Sequence, residues 1–66
     1  MVGSNIRRAR EAAGVTQVQM AEALCVTQAY ICAIEKGVKR ASVEQVAEIS
    51  RICRCTTDAL IFGETA

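Results

Sequence analysis

The sequence predicts a small all-α domain of five helices, and three observations carry that prediction. Apolar residues recur three and four positions apart with no strand-like alternation. Ser or Thr stands just ahead of each apolar stretch, where a helix N-cap is needed. The core must come from alanine and branched aliphatics, because 52% of the chain is apolar while Tyr30 and Phe62 are its only aromatics, a composition suited to closely packed small helices.

Taken in order, Ser4 is placed to cap a first helix over residues 5–13, with Ile6, Ala9 and Ala13 inward, a basic outer face and a stop at Gly14. Thr16 caps a second helix over 17–24 and forms a capping box with Gln19, leaving Met20, Ala21 and Leu24 inside. Thr27 caps a third helix that runs through Lys36 to Gly37. Ser42 and Gln45 give a second capping box, opening a helix on which Val43, Val46, Ala47, Ile49, Ser50 and Cys53 repeat at helical spacing. Thr56 caps a short last helix with Asp58 in its first turn, followed by Leu60, Ile61 and Phe62. All are too short to persist alone, since isolated helices below about 12–15 residues are marginal in water.

Size and composition exclude several function classes. A chain of 66 residues is one domain, read as residues 1–66, with no room for a large cofactor fold. There is no His, the carboxylates are scattered, and Ser4, Ser42 and Ser50 are two caps and one core position, so an enzyme is not expected. Cys25, Cys32, Cys53 and Cys55 are spaced C-x6-C and C-x-C, which matches neither the paired knuckles of a zinc site nor the C-x-x-C of a thiol oxidoreductase. No metal or cofactor is expected, and no small-molecule substrate is evident. Arg7, Arg8, Arg10 and Glu11 interrupt any signal-peptide core, and no apolar run approaches the ~18–20 residues of a membrane span. These features imply a cytoplasmic protein with reduced thiols and no membrane partner.

The informative unit is the second and third helices, at about 17–36, with the short turn between them. So short a turn forces the helices to cross at a large angle, which needs a small side chain at the contact; Ala21 sits there, with Leu24 and Val26 plugging the turn. A helix-turn-helix places the start of its second helix in the DNA major groove. On a helical wheel, Gln28, Ala29, Cys32, Ala33 and Lys36 share the free face, with Ile31, Ile34 and Glu35 read as lying opposite.

The run Gly14-Val15-Thr16-Gln17, Met20-Ala21, Val26-Thr27-Gln28, Tyr30-Ile31 and Ile34-Glu35-Lys36-Gly37 resembles the DNA-binding domain of the phage repressor and Cro family, the xenobiotic-response-element-type regulators. Val46, Ile49-Ser50 and Asp58 to Glu64 fit that family's last two helices, so the likeness spans nearly the whole chain and implies a lambda-repressor-like fold. Two positions depart from the pattern. Cys25 and Arg54 stand where the family places a left-handed Gly, at a cost of roughly 1–2 kcal/mol each.

The resemblance implies roles for individual residues. Gln28 is the leading base reader, because an amide can pair bidentately with adenine N6 and N7. Ala29 and Ala33 offer methyl groups for thymine, and Cys32 lies on the same DNA-facing side. Gln17 corresponds to a family position that touches phosphate and braces the reader glutamine. Thr27, Tyr30, Lys36, Lys39 and Arg40 complete the expected backbone contacts, with Gly37 leaving nearby amides open. Arg10 and Glu35 are expected to form a partly buried salt bridge. Ile52, Ile61 and Phe62 are the expected dimer surface, although core burial accounts well for Phe62 and poorly for Ile61.

Charge distribution agrees with a DNA partner better than the net +1 suggests. Residues 1–40 carry six basic side chains against three acidic, and residues 41–66 carry two against four. The chain therefore reads as a sequence-specific DNA-binding regulator, a repressor acting as a homodimer on palindromic double-stranded DNA. The alternatives are an antitoxin or restriction-modification controller with the same domain, or a protein-interaction module without DNA binding.

Overall fold

Four of the five helix starts are set by a hydroxyl side chain. The computed structural model describes residues 2–63, in which the elements are α1 (Val2–Ala12), α2 (Gln17–Leu24), α3 (Gln28–Glu35), α4 (Val43–Cys53) and α5 (Thr57–Phe62). Thr16, Thr27, Ser42 and Thr56 each accept a hydrogen bond from the backbone amide three residues on, satisfying one of the amides a helix start leaves unpaired. Both expected capping boxes are complete: Gln19 and Gln45 reach back to the cap amides at 2.9 Å.

The first helix differs from the expectation. It begins at Val2, so Ser4 lies inside it rather than capping it, and it ends at Ala12 with Ala13 exposed. The reason is tertiary. Gly3 is buried against the last turn of α3, so close that an added Cβ would stand 2.4 Å from the carbonyl oxygen of Ile34. Docking there starts the helix ahead of its local cap signal at Ser4.

The core is one cluster drawn from every helix: Ile6, Met20, Ala21, Ile31, Ile34, Val46, Ile49 and Leu60. Burying each large aliphatic among them contributes about 1.5–3 kcal/mol, which is what holds helices of six to eleven residues together. α1 packs against α3, α4 and α5, and α2 against α3 and α4. Buried Asn5 closes the ends of the chain by donating from Nδ2 to the Leu60 carbonyl at 3.1 Å.

Two apolar assignments are corrected. Val43 is 84% exposed and Phe62 78% exposed, so neither is core. On α5 the buried residue is Leu60, and Phe62, two positions later, is turned about 200° from it. Glu64 lies outside the described residues. Among those described, no helix is long and apolar enough to cross a membrane.

Both unusual turns are as expected. Cys25 (φ 58°) and Arg54 (φ 56°) are left-handed, and each follows a helix whose last carbonyls are captured from beyond the cap. Val26 donates to the Ala21 carbonyl at 2.9 Å and Cys55 to that of Ser50 at 3.0 Å. The turn between α2 and α3 is thereby fixed by its own backbone.

Candidate nucleic-acid interface

The start of α3 presents Gln28 and Ala29 exposed, with Cys32 and Ala33 half-buried behind them and Lys36 exposed at the far end. Thr27 caps this helix through its side-chain oxygen, which accepts the Tyr30 amide at 3.1 Å. Its hydroxyl proton remains available to a phosphate oxygen. α3 is held from beneath by Ile31 and Ile34, both buried.

Behind the exposed face runs a chain of polar side chains. Arg10 donates through Nε to Glu35 Oε2 at 2.7 Å and through Nη2 to Oε1 at 3.2 Å. Its Nη1 donates to the Val15 carbonyl at 2.8 Å, which also ties down the loop between α1 and α2. The Glu35 side chain is 3% exposed and that of Arg10 10%, so the pair is the expected salt bridge in a nearly dry setting. The hydrogen bond to Glu35 raises the Arg10 pKa despite the opposing effect of burial, keeping the guanidinium charged. Glu35 Oε1 next accepts from Gln17 Nε2 at 3.1 Å, and Gln17 Oε1 accepts from Gln28 Nε2 at 3.5 Å.

That chain corrects the placement of Glu35. Read as opposite Gln28, it lies seven residues on, about two helical turns, which returns it to the same side of α3. It therefore sits at the boundary between core and free face, where Gln17 can touch both residues. A cleft of about 340 Å³ opens here, lined by Arg7, Arg10, Gln17, Cys32, Glu35 and Lys36. Of that group, spacing along the third helix placed only Cys32 and Lys36 together. Arg7 comes from a different helix and carries no periodic signal linking it to them.

The loop over residues 36–41 carries Lys36, Lys39 and Arg40 exposed, and none is in an ion pair among the described residues. Its backbone amides are closed as far as Lys39, whereas those of Arg40 and Ala41 carry no hydrogen bond among the described residues. Gly37 donates to the Ile34 carbonyl at 3.1 Å, and Val38 and Lys39 donate to that of Ala33 at 2.9 and 3.2 Å. The unpaired carbonyls at the end of α3 take these three amides, leaving the side chains and the amides of Arg40 and Ala41 as the means of gripping an anion.

Tyr30 turns its hydroxyl inward, 3.2 Å from Gln45 Oε1 and 3.4 Å from the Arg40 carbonyl oxygen. Sequence spacing assigned Gln45 only to the α4 cap, and its second role as a partner of Tyr30 was missed. No signal in the sequence joins positions 30 and 45. Of the expected dimer residues, Ile52 is half-buried against the core, Ile61 is 43% exposed and lines a groove with Lys39 and Arg40, and Phe62 is open. All four cysteines are free thiols, Cys25 exposed and the others half-buried. Burial pushes the Cys53 and Cys55 thiols up from their ordinary range.

Comparison with known proteins agrees with this geometry. A search of curated proteins gave no match. Among solved structures, the chain is similar to the P22 c2 repressor protein, crystallised in complex with synthetic operator 9T in the presence of Tl+. The TM-score is 0.85 at 22% identity, over 97% of each chain, a likeness of fold. The helix-turn-helix family model matches residues 6–60, spanning the core, the turn and the cleft. The chain belongs to the Cro/C1-type helix-turn-helix family of DNA-binding transcriptional regulators.

Proposed function

We propose that this protein is a cytoplasmic repressor that binds a palindromic operator as a homodimer, with α3 of each protomer in the major groove. The observation that carries this reading is Gln28, exposed at the N-terminus of α3 and held through Gln17 and Glu35 to Arg10. A base-reading amide needs such support, because an unrestrained glutamine spends part of its binding energy on being ordered. Ala29, Cys32 and Ala33 complete the surface facing the bases. Gln17, Thr27, Lys36, Lys39 and Arg40 contact phosphates around it. Tyr30 lies beside this set with its hydroxyl engaged within the protein.

Dimerisation falls to the α5 end. Phe62 and Ile61 leave an apolar surface there, with half-buried Ile52 nearby in sequence at the end of α4. Two copies related by a two-fold axis would bury it and set the half-sites about 34–36 Å apart. The P22 c2 repressor, which shares the fold, was crystallised on an operator.

The test is selection of bound duplexes from a random pool, followed by salt titration of the enriched sequence. A dimer neutralising about six phosphates gives a log K against log salt slope near −5. An enriched palindrome with a steep slope supports the reading. No enrichment and a flat slope overturn it in favour of a protein-interaction module.

A further inference from the structure

Tyr30 is tied at both ends. Its backbone amide donates to the cap of α3 at Thr27 Oγ1, 3.1 Å away, while its phenol reaches the cap of α4 at Gln45 Oε1 and the Arg40 carbonyl. Gln45 Oε1 also accepts the Ser42 amide at 2.9 Å, and the Gln45 amide donates to Ser42 Oγ at 3.1 Å. The phenol therefore joins a cap that is already closed on itself.

The segment spanned by these ties is the cationic loop. Its near end is fastened to α3 through the amides of Gly37, Val38 and Lys39. Its far end, at Arg40, meets α3 through the Tyr30 hydroxyl, with half-buried Ala41 packed against the core beside it. Tyr30 is also two residues from Gln28, on the same short helix. One side chain thus fixes the distance between the base-reading position and the cationic loop.

We propose that Tyr30 is a positioning residue for DNA binding: through Gln45 and the Arg40 carbonyl it holds the loop carrying Lys39 and Arg40 in register with Gln28. The proposal rests on the DNA-binding reading above. It replaces a direct phosphate contact by this hydroxyl. The single phenolic proton cannot be given to a phosphate while it is given to Gln45 or to the Arg40 carbonyl. Holding the loop removes an ordering cost that the phosphate contacts would otherwise bear on binding.

The test variant is Tyr30→Phe, which keeps the ring in place and removes the phenol. In the free protein, amide hydrogen exchange at Lys39 and Ser42, whose hydrogen-bonded amides flank the Arg40 carbonyl, becomes several-fold faster, and the melting temperature falls by no more than about 4–8 °C, the worth of one hydrogen bond. On an enriched duplex and on random DNA alike, affinity falls about three- to tenfold, the size expected for losing one net hydrogen bond's worth of preorganisation. The preferred base opposite Gln28 stays the same. In a background carrying both Lys39→Ala and Arg40→Ala, adding Tyr30→Phe costs less than about twofold, because the charges being positioned are gone. An undiminished loss in that background means direct phosphate contact and overturns the proposal, as does unchanged affinity in the single variant. Unchanged exchange at Lys39 and Ser42 overturns it without any DNA present, so its failure is separable from failure of the DNA-binding reading.

Discussion

The side-chain amide of Gln17 lies between Glu35 and Gln28, donating to the first at 3.1 Å and accepting from the second at 3.5 Å. An ionised carboxylate only accepts, so Gln17 must turn its nitrogen to Glu35 and its oxygen to Gln28. Gln28 must then offer Nε2 to Gln17, which leaves its carbonyl oxygen and second N–H for a base edge. That donor and acceptor pair is what adenine N6 and N7 require. Gln17→Leu should therefore lower discrimination at the base read by Gln28, beyond the uniform weakening on all DNA that loss of its phosphate contact brings. Gln28→Ala should relax that single position in each half-site by about 1–3 kcal/mol, whereas Lys39→Ala weakens all sequences alike. Affinities measured on duplexes substituted one base pair at a time distinguish these outcomes, and a loss for Gln17→Leu that leaves discrimination at that base unchanged would contradict the argument.

The other end of the same chain is a stability element. Glu35 is nearly buried and bonded twice to Arg10, so Glu35→Ala leaves a guanidinium desolvated with only the Val15 carbonyl and a marginal 4.0 Å approach to Glu11. Removing one partner of a buried pair costs about 3–5 kcal/mol. In a domain this small each 1 kcal/mol moves the midpoint by about 4–8 °C, so the variant should be largely unfolded near its parent's melting temperature. Circular dichroism melting checks this, and an unchanged midpoint would mean the bridge is dispensable.

How much of this was readable from the chain depends on the range of the interaction. Thr16, Thr27, Ser42 and Thr56 act on amides three residues away, so the helix starts they set were legible. The left-handed Cys25 and Arg54 followed from positions where the resembled family places Gly. Arg10 with Glu35, 25 residues apart, was legible only through that resemblance. Gly3 against Ile34 and Tyr30 against Gln45 were illegible, because only packing of separate helices creates them. Phe62 differs from the expectation for a related reason: apolarity says that a side chain prefers burial, not which of three consecutive apolar positions on a six-residue helix the core can reach.

The two left-handed caps carry recoverable strain. A non-glycine residue in this conformation costs roughly 1–2 kcal/mol, and glycine returns about 0.4–1 kcal/mol of that through greater freedom in the unfolded chain. Cys25→Gly and Arg54→Gly should each stabilise the protein by about 0.5–1 kcal/mol. The sites cap different helices, so the effects should be roughly additive. Urea unfolding of the two single variants and the double variant measures both points, and a loss of stability at either site would show that its side chain has a role the backbone strain conceals.

Gly3 presents the opposite case. In an open helix Gly→Ala gains about 1 kcal/mol. Here the new Cβ would lie 2.4 Å from the Ile34 carbonyl oxygen and 2.8 Å from that of Glu35, both backbone atoms. α1 must then lift away from α3, loosening the approach that lets Arg10 reach Glu35. Gly3→Ala should lower the melting temperature and, by displacing the support of Gln28, weaken specific DNA binding more than binding to random DNA. A gain in stability would indicate that the first turn of α1 can detach without consequence.

The thiols provide a test of packing that needs no mutation. Burial raises the Cys53 and Cys55 pKa above the ordinary 9.0, so less thiolate forms at any given pH, and access to both is restricted. Cys25 is exposed on the turn. Brief alkylation at neutral pH should label Cys25 first, with Cys53 and Cys55 modified only slowly, as site-resolved mass spectrometry would show. The same shift has a consequence for stability. An acid whose folded pKa is raised holds its proton more tightly when folded, so its contribution is complete below the unfolded thiol pKa and is lost as pH rises through the higher folded value. Stability should accordingly decline above about pH 9, less steeply in Cys53→Ala than in the parent once each is compared with its own value at neutral pH. Equal slopes, or early labelling of Cys53, would place that side chain in solvent rather than against the core.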